Sequence, residues 1–221
     1  MRLFSDSIGR KAVMAVTGLL MVLFVIGHLL GNLSIFAGPS GINAYAQHLH
    51  DLPALVWANR IVMGLAVVIH VVLAVQVTLE NNAANPNKYA VQRYLKATFA
   101  GRTMIWTGLI LGAFIVYHLL QFTIRVTPNL VLAQDPLDRF DVYGMVLNEF
   151  SYAGIAIIYV IGMIALFLHL KHGIQSTFQT LGISNAVLLP RYGAIGKVLS
   201  GVFLVGFVAI PVAVLVGFLA K

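Results

Sequence analysis

Five stretches of more than 20 mostly apolar residues divide this chain evenly, with short polar segments between them. A membrane-crossing helix needs about 20 such residues, so the pattern predicts spans over 12–36, 55–79, 103–126, 150–171 and 197–220. The fourth block runs past Lys171 into a more polar stretch, 173–182, read as helix continuing beyond the hydrocarbon. Pro39, Pro53, Pro86, Pro128, Pro136 and Pro190 fall between the predicted spans, where they break nothing. Pro211 lies inside the fifth and is expected to kink it, which membrane helices tolerate. The expectation is an all-α membrane protein, with residues 1–221 forming one five-helix bundle.

Composition agrees. The chain is 60% hydrophobic and 10% charged, against about a quarter charged in soluble domains. With no cysteine, it excludes disulfides, thiolate zinc sites, cysteine-ligated clusters and c-type haem attachment. Basic residues precede the first apolar run, as in a signal peptide. That run is too long for a signal sequence and no A-x-A cleavage site follows, so an uncleaved first span is expected.

Charge placement predicts orientation. Arg2, Arg10, Lys11, Lys88, Arg93, Lys96, Arg102, Lys171, Arg191 and Lys197 fall on one side of the predicted topology, ten of the 14 cations. Arg60, Arg125, Arg139 and Lys221 fall on the other, together with Asp51, Asp135, Asp138, Asp141 and Glu149. This bias puts the N-terminus in the cytoplasm and the C-terminus outside. It also accounts for the net charge of +7 without nucleic acid, and a cationic inner face is suited to docking a partner protein.

Of the seven histidines, His28, His70, His118 and His169 occur one in each of the first four predicted spans. An ionisable side chain at membrane depth is costly. A single one is as readily a neutral imidazole bonded to a neighbouring helix, but four of them call for a common reason. By helix rise, His28 lies about 24 Å and His118 about 22 Å from the inner ends of outward-running helices. His70 lies about 13 Å from the inner edge of an inward-running helix, and His169 is also near an inner end. Depth therefore pairs His28 with His118 and His70 with His169. Two facing imidazoles are what a six-coordinate b-type haem needs. His172, three residues after His169, is an alternative on a similar helix face.

A repeat runs through the first and third spans. Thr17-Gly18 precedes His28-Leu29-Leu30 as Thr107-Gly108 precedes His118-Leu119-Leu120, and Gly9-Arg10 and Gly101-Arg102 open the two units. Gly64 before His70 and Gly162 before His169 form a looser echo. Small residues of this kind, with Gly27, Gly31 and Gly112, allow close approach of a helix or a flat macrocycle; ordinary helix packing accounts equally for any one of them.

These residues resemble the membrane anchor of succinate dehydrogenase or fumarate reductase, in the form with one five-helix chain and two b haems. The likeness covers nearly the whole chain. It rests on Ser7-Ile8-Gly9-Arg10-Lys11, on His28, His70 and His118, and on His169 with Gly173-Ile174-Gln175-Ser176. The family places a ligand histidine four before such a glycine, which favours His169 over His172. The resemblance implies two haem b cofactors and a location in the bacterial inner membrane. It also implies a flavoprotein subunit and an iron–sulfur subunit on the cytoplasmic face. Electrons from succinate would pass by way of the inner and then the outer haem to a quinone, with menaquinone expected, or in reverse to fumarate. Haem propionates need cationic or hydrogen-bonding partners. Arg10, Lys11, Arg102, Gln175 and Ser176 are candidates at the inner haem and Arg125 at the outer, although positive-inside charge explains Arg10, Lys11 and Arg102 as well. In some relatives an acidic side chain of the first outer loop serves quinone chemistry; His50 and Asp51 stand near that place, with His48 close by. A relative's glutamate two residues before the fourth-helix ligand is replaced here by Phe167, which puts that proton pathway in doubt. A cytochrome b anchor of a hydrogenase or formate dehydrogenase, or a transporter or proton channel using its histidines, are the competing expectations.

Overall fold

The computed structural model describes residues 6–84 and 97–220. The cations Arg2, Lys88, Arg93, Lys96 and Lys221, and Pro86, lie outside the described residues. The described chain is helical: α1 (Ser7–Leu33), α2 (Pro39–His50), α3 (Pro53–Ala83), α4 (Phe99–Arg102), α5 (Met104–His118), α6 (Val142–Phe150), α7 (Ala153–Thr180) and α8 (Leu188–Leu215). A 3₁₀ turn, Ser34–Ala37, extends α1, and a π-helical turn, Leu119–Ile124, extends α5.

Local chemistry sets several of the ends. Asp6, Thr98 and Asp141 accept from the backbone N–H of Gly9, Gly101 and Gly144, filling orphan donors at helix starts. Pro39 and Pro53 open α2 and α3, where a missing N–H costs nothing. Gly38, at φ 82°, turns the chain into α2 in a conformation that favours glycine. Pro190 is not between helices as expected. It sits in the first turn of α8, whose N–H groups have no intrahelical partner to lose. The fourth helix starts later than residue 150 and runs on to Thr180, and the fifth starts at Leu188 rather than 197.

Five helical segments are long and apolar enough to cross a membrane: Ser7–Ala37, Pro53–Ala83, Met104–Ile124, Ala153–Thr180 and Leu188–Leu215. Contacts fix their directions. Arg10 pairs with Glu80 and Thr17 meets His70, so α1 and α3 are antiparallel. Thr107 meets His169 and His118 meets Tyr159, so α5 and α7 are antiparallel. Gly193 packs on Gln175 and Gly196 on Ile174, which sets α8 antiparallel to α7. Below, the near side is the end where α1 begins and the far side the end where it finishes.

Two apolar clusters hold the bundle. Val22, Leu29, Leu170, Ile174 and Phe203 join α1, α7 and α8. At the far side Ile35, Ile42, Tyr143, Phe150, Tyr159 and Ile210 belong to a second cluster that seats α2 and α6 against the ends of α7 and α8. Buried Asn43 fixes the far-side connection: it donates to Asp135 and Asp141 at 3.2 and 3.1 Å and accepts the Tyr143 N–H at 2.9 Å. Arg139 grips Asp135 at 2.6 and 2.8 Å, and that guanidinium, with Asn43 and backbone N–H donors, holds the carboxyl well below the usual carboxylate range.

Candidate functional site: two imidazole pairs

The four intramembrane histidines meet in two pairs. The rings of His28 and His118, on parallel α1 and α5, have centroids 5.7 Å apart at an interplanar angle of 84°. Those of His70 and His169, on parallel α3 and α7, are 6.4 Å apart at 62°. His172 is not in either pair; it packs against Gly101, with its Cε1 3.1 Å from where a Cβ would stand.

The near-side pair is built by the repeat. Nδ1 of His70 lies 2.9 Å from the Met14 carbonyl and 3.3 Å from the Thr17 hydroxyl. Nδ1 of His169 lies 3.2 Å from the Thr107 hydroxyl. Gly18 and Gly108 let the rings in: a Cβ there would stand 3.1 Å from Cε1 of His70 and 3.4 Å from Cε1 of His169. The repeated Thr-Gly therefore braces a histidine on the neighbouring helix, not the one eleven residues on. A carbonyl can only accept, so the His70 proton sits on Nδ1 and its Nε2 keeps a lone pair. That is the state of an imidazole ready to bind a metal, oriented by its outer partner.

The far-side pair sits among aromatic rings, His28 stacked on Phe24 and flanked by Phe207, and His118 flanked by Phe114 and Phe122. Asn32 donates to the His28 carbonyl at 2.7 Å. Nδ1 of His118 is 3.0 Å from the hydroxyl of Tyr159.

Each pair has the spacing with which two imidazoles could hold one metal ion between them. A metal–imidazole bond is about 2 Å, so two imidazoles on opposite sides of one ion have ring centres about 6 Å apart. A Cβ added at Gly27, Gly64 or Gly112 would meet no heavy atom within 4 Å, so these backbones face open space. Gly31 and Gly162 instead admit side chains, Tyr45 and Phe114. Among the described residues no three or more His, Asp or Glu side chains converge on a metal site, so an ion between either pair would need further donors from outside the chain.

The remaining candidates disperse. Arg10 forms an ion pair with Glu80 at 2.6 Å. Lys11 and Ser176 are half-buried, and Arg102 is exposed at the end of α4. Gln175 donates to the Leu189 carbonyl at 3.2 Å. Arg125, left-handed at φ 63°, stacks 4.0 Å over Phe140. His48, His50 and Asp51 are exposed at the end of α2, and Asp51 accepts from Gln47 at 2.8 Å. Glu149, counted with the acids of that side, is 0% exposed on α6. Its apolar surroundings in Val142–Phe150 were the available signal.

Fold and site define a multi-span, all-α helical protein with five candidate membrane-crossing helices. No protein-family model, curated protein or solved structure matches the chain.

Proposed function

We propose that this chain is the membrane anchor and electron-transfer subunit of a succinate:quinone oxidoreductase or quinol:fumarate reductase. Two haems b would be held by His28 with His118 and by His70 with His169. The supporting observation is the meeting of four imidazoles in two pairs, on two pairs of parallel helices, at the separation that one metal ion between them requires. Bound there, haem supplies one-electron chemistry. The chain's own residues do the rest. The imidazoles fix the two positions, Thr17, Thr107 and the Met14 carbonyl orient the near-side rings, and the apolar helices exclude water.

The near side is assigned to the cytoplasm of a bacterial inner membrane. Arg10, Lys11, Arg102, Lys171, Arg191 and Lys197 gather there to receive the iron–sulfur and flavoprotein subunits. Quinone, with menaquinone expected, would react on the far side, where His50 and Asp51 are candidates. The imidazole pairs support electron transfer; the family resemblance supports these particular partners.

The test is isolation of the chain from its native membrane. Two haems b per chain with low-spin spectra, together with subunits that oxidise succinate, are expected. A chain without haem overturns the reading, and one with haem but a different dehydrogenase overturns the partner assignment. Within it, Thr17→Val and Thr107→Val should leave the fold intact and weaken haem retention at the near-side pair about tenfold or more, measured by haem content after competition with a haem-binding protein.

A further inference from the structure

The two imidazole pairs differ in what stands behind them. Among the described residues the near-side rings are hydrogen-bonded to neutral partners, threonine hydroxyls and the Met14 carbonyl. Behind His118 runs a chain of side chains. The Tyr159 hydroxyl, 3.0 Å from His118 Nδ1, donates to Gln121 Oε1 at 2.8 Å. The Gln121 amide donates to Glu149 Oε2. With its one proton committed to Gln121, the Tyr159 oxygen must accept, so the His118 Nδ1–H is the donor. Every donor then points the same way, from imidazole to carboxylate, and aligned bonds of this kind polarise one another.

The far end of this chain is unusual. Gln121 and Glu149 are both 0% exposed, and Glu149 Oε1 has no partner. Leaving a buried carboxylate oxygen unpaired is costly. A glutamine at position 149 would accept the same bond from Gln121 without burying a charge, so packing does not explain the carboxylate. The ionisable groups coupled to it are the phenols of Tyr117 and Tyr159. On α6 itself, Tyr143 turns its hydroxyl to the Ala220 carbonyl. From α2, Asn43 is turned to Asp135 and Asp141. Helix α8 brings no ionisable side chain after Lys197. No salt bridge reaches Glu149 among the described residues. Gln121 lies buried within the π-helical turn, a feature that recurs at functional sites.

We infer that Glu149 is a positioning residue for the centre held by His28 and His118, acting through Gln121 and Tyr159 to set that centre's midpoint potential. The inference rests on the haem reading above. The carboxylate end of the chain would draw the His118 proton outward, make the imidazole a stronger donor and so lower that centre's midpoint potential. In a titration one electron from a chemical mediator would reduce the iron, with no bond made or broken.

The test is an optical redox titration of the purified, haem-loaded full chain. In Glu149→Gln the component lost in His118→Ala should have a higher midpoint than in the unaltered chain, with the other component unchanged. Tyr159→Phe keeps the carboxylate but cuts the chain, and should raise the same midpoint; it carries the test if Glu149→Gln does not fold. A far-side midpoint unmoved by either substitution overturns the inference and leaves the haem reading standing. A chain with no haem overturns both.

Discussion

Replacing His118 by alanine should remove one of two haem components from the optical spectrum and halve the haem content of the chain. Its ring faces His28 across 5.7 Å, and that pair stands apart from His70 and His169. On the proposed reading, loss of either member would leave an iron with one protein ligand, and loss of His118 a gap the size of an imidazole among Phe114, Phe122 and Tyr159. His28→Ala should therefore give the same spectrum as His118→Ala, and the double substitution should be no worse than either alone, because partners in one site do not act additively. His70→Ala and His169→Ala should remove the other component in the same fashion. His172→Ala should remove neither, since that ring packs on Gly101 away from both pairs. Loss patterns that mix the pairs would refute the assignment. Added imidazole should restore part of the lost component in His118→Gly, which separates a missing ligand from a damaged fold.

The second large effect is structural. Asn43→Leu should lower stability by about 3 kcal/mol, because it deletes three hydrogen bonds and strands the buried N–H of Tyr143. For a chain of this size that corresponds to a fall in apparent melting temperature of roughly 5–10 °C, measurable in detergent by a thermal-shift assay. Ala44→Leu, at the next and exposed position of α2, is the control and should change little, since alanine and leucine are both good helix formers. The same latch should resist mild acid. Asp135 is held well below its ordinary value, chiefly by Arg139, so the bonded carboxylate contributes above its unfolded-state value near 3.8 and loses that contribution only as pH falls through the lowered one. An unaltered melting temperature in Asn43→Leu would show that the loop is held by its apolar contacts alone.

Much of this architecture was legible in the sequence, for a physical reason. Lipid demands long apolar runs, and the five runs marked the five helices. Their ends were less legible. The apolar run stops at Lys171, but α7 continues through Gln175, Ser176 and Gln179 to Thr180, because residues such as lysine and glutamine are good helix formers in water. Helix rise along antiparallel helices was enough to pair the histidines by depth. The braces behind them were hidden. Thr17 and Thr107 stand out through their interval to a histidine on their own helix, whereas their bonds run to His70 and His169 next door; a single chain's periodicity does not encode the register between helices. Glu149 was hidden for a related reason: a count of charges by loop carries no information on which acid turns inward.

The eleven residues between Thr17 and His28, and between Thr107 and His118, amount to about three full helical turns, some 16 Å of rise. In α1 and α5 alike, a threonine that braces one imidazole pair and a histidine of the other thus project from the same side of one rod. Each rod works as a ruler. Sliding or rotating it would carry both layers along, so the spacing between the two imidazole pairs is gauged by helix geometry.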